Sequence, residues 1–114
     1  MPYIVQGQPA SVSREPRSEM GQTYVPLDEL VRQLGGTTTW DNEQKAATAT
    51  IGQWTATIRM ADPNVDVSGT AVTLPAPPFD EDGVLWVPAE FFHAAYGYQV
   101  TVDPGSNQVS IALP

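Results

Sequence analysis

The chain has 114 residues, enough for one compact domain or two very small units sharing a core. Thirteen acidic residues against five basic ones leave a net charge of -8, and Arg14, Arg17, Arg32, Lys45 and Arg59 all precede residue 60, so a phosphate backbone is repelled and nucleic acid is excluded as an expected partner. The absence of cysteine excludes a disulfide scaffold, a thiol nucleophile and a cysteine zinc site, and no apolar run approaches the roughly 20 residues of a membrane-spanning helix.

Residues 1–10 carry no basic start and no apolar run of the length a signal peptide needs. A short strand over 23–25 leads into a helix over 27–34, where Leu27, Leu30, Val31 and Leu34 repeat at i, i+3, i+4 and i+7. Pro26 suits the first helical position, Asp28 and Glu29 favour the positive end of the dipole, and Gly35 and Gly36 stop the helix. An alternating hairpin follows: Thr38 and Trp40, a turn over 41–44, then Ala47, Ala49 and Ile51. The connector reads as a strand with Trp54, Ala56, Ile58 and Met60 on one face, closed by a turn at Asp62, Pro63 and Asn64. A strand over 85–87 then leads into a second helix over 88–96, which Gly97 stops. The last hairpin places Val100 and Val102 opposite Val109, Ile111 and Leu113 across a turn over 103–106.

An ungapped offset of 62 lays residues 3–52 over 65–114 with ten of the fifty positions identical. The identities include Gly7 with Gly69, Gly21 with Gly83, Val25 and Pro26 with Val87 and Pro88, Gly35 with Gly97, and Asp41 with Asp103, all at turns or helix boundaries. The reading is one domain over 1–114: copy 1 over 3–52, a connecting strand over 53–64 and copy 2 over 65–114. The fold class is α+β, short antiparallel strands with two short helices, built from an internal duplication. Fifty residues lie near the lower limit for independent folding, so the copies are expected to share one core.

With these residues in place, the chain resembles the copper amine oxidase N-terminal-like family, also called stalk domains. The resemblance rests on Gly21, Val25-Pro26-Leu27, Leu30, Leu34-Gly35, Thr38 and Trp40-Asp41, and again on Gly83, Val87-Pro88, Phe91-Phe92, Gly97, Val100 and Asp103. The family's helix Arg is replaced by Asp28 and Glu90, and its later Glu by Arg32 and Ala94, which in copy 1 reverses an i, i+4 ion pair while keeping it. The copper and quinone of amine oxidases sit in a different domain, so the resemblance implies a non-catalytic module with no cofactor. It further implies an extracytoplasmic or cell-surface location.

Chemical constellations are sparse. His93 is the single imidazole and aligns with Val31, so a partly buried ring bonded to a carbonyl or carboxylate is expected, with no metal assigned. Asp80, Glu81, Asp82 and Gly83 lack the oxygen spacing of a calcium loop and read as a solvated turn. No serine sits in a nucleophile elbow, no glycine loop cradles a phosphate, and no catalytic residue is assigned.

The aromatics carry the binding expectations. Trp40 and Trp54 fall on the inward faces of their strands and are expected in the core. Tyr24 and Trp86 share one repeat position and either stand half exposed, able to stack on sugar rings or anchor a protein, or cover a second layer of the core. Glu29, Arg32 and Gln33 give the first helix an outer face for water, whereas Phe91, Ala94 and Ala95 give the second an apolar face covered by the other copy or by a neighbouring subunit. Tyr24, Trp86, Phe91, Ala94 and Ala95 are therefore the candidate contacts. Terminal strands over 3–5 and 109–113 are expected at sheet edges, where they can pair with a neighbour. The expected function is a non-catalytic binding or scaffolding module of a bacterial cell-envelope or surface protein, with a protein partner or second copy. The alternatives are a self-assembling subunit of a surface filament or virion decoration, and a module binding cell-wall polysaccharide.

Overall fold

The computed structural model describes residues 3–19, 21–103, 105, 106 and 108–113, so Pro104 of the expected last turn lies outside the described residues. The chain runs β1 (Tyr3–Val5), β2 (Gln8–Pro9), β3 (Arg17–Glu19), β4 (Gln22–Pro26), α1 (Leu27–Gln33), β5 (Thr37–Asp41), β6 (Ala46–Ile51) and β7 (Trp54–Arg59). It continues through β8 (Asn64–Val67), β9 (Thr70–Thr73), β10 (Phe79–Glu81), β11 (Val84–Pro88), α2 (Phe91–Tyr96), β12 (Gln99–Val102) and β13 (Val109–Ala112). Short, mostly antiparallel strands with two short helices make the fold α+β, as the patterning predicts.

Three sheets share the work, ordered β12-β13-β1-β2, β10-β11-β4-β3 and β5-β6-β7-β8-β9. The second is organised by the antiparallel pair β4 and β11, where Val25 lies opposite Val87, Tyr24 opposite Pro88 and Trp86 opposite Pro26. Because side chains alternate across a strand, Val25 and Val87 enter the main core while Tyr24 and Trp86 point the other way. There they form a small second core with Ala76, flanked by Phe79 and Val84. Arg17 closes it from outside, its guanidinium carbon 5.2 Å from the Trp86 ring centroid and 5.4 Å from that of Phe79, while it pairs with Glu19 and Glu81.

Helix α1 leaves directly from the end of β4, and α2 follows β11 after two residues. In α1, Leu27, Leu30 and Val31 are buried, and Asp28 bonds Arg32 at 2.8 Å as the i, i+4 spacing predicts. The helix ends in a Schellman arrangement: Gly35 takes a positive φ of 85°, its N–H donates to Arg32 O, and the Gly36 N–H donates to Val31 O. Gly36 is required for a second reason, since any Cβ there would collide with the Thr50 carbonyl, Ile51 and Val31. The second helix starts later than the predicted 88, because Ala89 and Glu90 form a turn before Phe91.

Several expectations are corrected. The terminal strands are not edges: β1 pairs in parallel with β13, Tyr3 opposite Val109 and Val5 opposite Ile111, and each is flanked on its other side by a hairpin partner. The apolar face of α2 is turned inward by its own chain, burying Phe91, Phe92 and Ala95, with Phe91 edge-on to Phe92 and Tyr96. His93 is rotated to the exposed side, although its Nδ1 lies 2.9 Å from Tyr98 O, the carbonyl partner expected of it. Trp40, Trp54 and Leu113 are 40%, 53% and 65% exposed. Trp40 does sit on the core-facing side, opposite buried Ala47, and Trp54 opposite buried Ile51. Both lie at or next to strand ends, Trp40 on edge strand β5 and Trp54 at the first position of β7. The outer face of α1 stays open to water at Arg32 and Gln33, as expected, while Glu29 is half-buried: Ser13 donates to its Oε1 through its hydroxyl at 2.6 Å, and Gln33 Nε2 donates to Ser11 O at 3.1 Å.

Two measurements check this packing. Gly36→Ala is expected to destabilise the chain by about 1 to 3 kcal/mol in denaturant unfolding, through overpacking against Thr50 and Ile51. Tyr96→Phe is expected to cost about 1 kcal/mol, since its hydroxyl donates to Ala49 O at 2.7 Å, whereas Tyr3→Phe should be neutral or stabilising because the buried Tyr3 hydroxyl has no partner among the described residues.

Burial is also the leading cause that pushes all four phenols above their ordinary value, joined at Tyr3 by the charges of Glu29 and Glu15, at Tyr24 by that of Glu19 and at Tyr96 by coupling to Tyr98. A folded pKa above the unfolded one means the stabilising contribution is complete below about pH 10 and is lost as pH rises toward the folded values. Denaturant midpoints are therefore expected to fall steadily above about pH 10, together with a delayed phenolate absorbance at 295 nm.

Candidate functional site

A cleft of about 630 Å³ opens between α1, edge strand β5 and the tip of the β10–β11 hairpin. One wall is the β5–β6 hairpin, whose turn is set by Asp41: its Oδ1 accepts the Glu43 N–H at 3.0 Å and the Gln44 N–H at 3.2 Å. This turn lifts Asn42 and Lys45 to the rim, where Lys45 Nζ donates to Asn42 Oδ1 at 3.0 Å. A second wall is α1, with Asp28, Glu29 and Arg32. The opposite wall is the β10–β11 hairpin, whose Asp82 and Gly83 both take positive φ, the conformation of a two-residue turn that follows the strand twist. The bonds between Ser13 and Glu29 pin the loop after β2 against α1 and thereby bring Arg14 to the same opening.

Trp40 is the aromatic of the cleft, and Thr38 lies two residues before it on the same strand face. Three of the chain's five cations, Arg14, Arg32 and Lys45, line the opening together with three carboxylates, Asp28, Glu29 and Asp80, so the lining is charge-balanced within a chain of net charge -8. Asp28 is engaged by Arg32 and one Glu29 oxygen by Ser13. The other Glu29 oxygen, Oε2, and Thr38 Oγ1 are buried without a hydrogen-bond partner among the described residues.

The sequence-predicted contacts lie elsewhere. Tyr24, Trp86, Phe91 and Ala95 are buried and Ala94 is half-buried, so four of the five are beyond a partner's reach. Tyr24 is held further by donating its hydroxyl to Pro77 O at 2.7 Å. Sequence reasoning missed Arg14, Lys45 and the exposure of Trp40. Only the uneven placement of the cations before residue 60 hinted at a basic locality, and no spacing in the chain brings Arg14 to Lys45.

The family model of the copper amine oxidase N-terminal domain matches residues 4–111. The chain belongs to this family. In copper amine oxidases this N-terminal domain is a non-catalytic, stalk-like module. No curated protein matches the chain at a significant level. The copper of the family's name does not fit this stalk domain: its one histidine has Nδ1 engaged by Tyr98 O, and among the described residues no three His, Cys, Asp or Glu side chains are gathered to hold a metal. Nor is any helix among the described residues long and apolar enough to cross a membrane.

The site geometry has an optical signature. Of the three tryptophans, Trp86 is nearly buried while Trp40 and Trp54 are exposed. Acrylamide should therefore quench most of the emission of the parent chain, and the Trp40→Phe, Trp54→Phe double variant should retain a blue-shifted, poorly quenched band from Trp86. A readily quenched band in that variant would mean that the second core is open.

Proposed function

We propose that this stalk domain is a non-catalytic attachment module of an extracytoplasmic bacterial envelope or surface protein, and that it binds through the cleft beside Trp40. The observation that carries this reading is the exposed tryptophan on a rigid strand, inside an opening that gathers three of five cations. Exposed aromatics held by a scaffold supply large contact area with little side-chain ordering, which suits recognition. The self-assembling alternative loses both its cues, since Phe91 is buried and the terminal strands pair with each other.

We further propose that the scaffold arose by duplication of one unit. The support lies in matching ranges 62 residues apart: β3 and β10, β4 and β11, and the turns at Gly7 and Gly69, fall at equivalent positions. The β4–β11 register pairs Val25 with its own equivalent, Val87, as an axis relating two copies would require.

The attachment reading is tested by sedimenting the purified chain with isolated bacterial cell-wall sacculi. Retention is expected for the parent chain and for Trp54→Ala, and at least a several-fold loss for Trp40→Ala. A parent chain that stays in the supernatant, or equal retention of the Trp40 and Trp54 variants, overturns it.

A further inference from the structure

We infer that the cleft recognises an acidic oligosaccharide, with a sugar ring stacked on Trp40 and a ring carboxylate held by Arg14 and Lys45. The inference rests on the attachment reading and names its ligand class. At about 630 Å³ the opening lies within the range of about 300 to 1,000 Å³ typical of small-molecule sites.

Trp40 can present a ring face because its cross-strand neighbour is Ala47, whose side chain is too short to cover it, and because β5 is the outer strand of its sheet. A pyranose offers a flat apolar face to such a platform and hydroxyls around its rim. The lining answers the rim with the polar side chains of Asp80, Asn42 and Thr39.

The charge of the ligand follows from which cations are already engaged. Arg32 is tied to Asp28, whereas Arg14 and Lys45 make no ion pair among the described residues and bond only to the neutral Ser13 and Asn42 side chains. In a chain with thirteen carboxylates, these two cations line the same opening without one, and both can donate charge-assisted hydrogen bonds to a carboxylate. The chain's net charge of -8 disfavours a long polyanion at a distance, so a short acidic segment is the fitting occupant.

Tetragalacturonate and its methyl ester, titrated by calorimetry and by Trp fluorescence against the intact chain, test the assignment. Tetragalacturonate is expected to bind with Trp40→Ala weakening it at least ten-fold, Arg14→Gln with Lys45→Gln weakening it at least five-fold, and Trp54→Ala leaving it unchanged. The methyl ester, which keeps the ring and removes the charge, is expected to bind the parent chain at least five-fold more weakly. All four side chains are at the surface, and thermal melts identify any variant that fails to fold, with Trp40→Phe, a smaller platform, as the substitute for Trp40→Ala. Equal binding of acid and ester overturns the carboxylate receptor, and no binding of either at millimolar concentration overturns the saccharide assignment. Retention on sacculi that depends on Trp40 would then leave the attachment reading standing without it.

Discussion

The pairing of β4 with β11 is the constraint on which the rest of the molecule depends. Its register places Val25 and Val87 on one side and Tyr24 and Trp86 on the other, so one two-stranded ladder generates both hydrophobic clusters. A slip of one residue would exchange the two faces, sending aromatics into a space filled by valines. The same ladder fixes where the helices begin, because Pro26 ends β4 immediately before Leu27 and Pro88 ends β11 shortly before Phe91. Proline cannot extend the ladder as a donor, and its fixed φ is compatible with a helix start, so the residue that ends each strand also aims the helix.

From that ladder outward, the helices act as wedges between the sheets. Leu30 and Phe92, 62 residues apart, are both fully buried in the main cluster, which includes residues of all three sheets. Closure is completed by β1 lying parallel to β13, which joins the two ends of the described chain in one sheet. No polar or charged residue is buried among the described residues. Specificity of the fold therefore rests on shape and on tyrosines that reach a backbone carbonyl, Tyr24 at Pro77 and Tyr96 at Ala49, while Tyr3 is accommodated without one.

Much of this order is local and therefore legible in the sequence. The stripe of Leu27, Leu30 and Val31, the glycine stops and the Asp28–Arg32 pair depend on neighbours within one or two turns, and they stand where periodicity places them. The failures are tertiary. Periodicity gives Trp40 and Trp54 their correct side of the sheet, yet burial depends on what lies above that side, and nothing in an alternating pattern reports where a helix stops covering it. The stripe of α1 does not carry over to α2, because the two helices begin at different points after their prolines and so present different residues inward.

The cleft is the least legible feature because its residues come from four separated stretches. Ser13 holds Glu29 across 16 positions, and the hairpin tip that faces them lies more than fifty positions further along. Charge made the site harder still to see. Summed over the chain it argues against any anionic ligand, whereas the lining of the opening balances three cations against three carboxylates. Within that balance the partners are unequal, since Asp28 is neutralised by Arg32 while Arg14 and Lys45 face solvent beside Trp40. Because no polar or charged residue is buried among the described residues, the ionisable groups of the cleft keep contact with solvent, and their pairing follows from which hairpin or helix carries each of them.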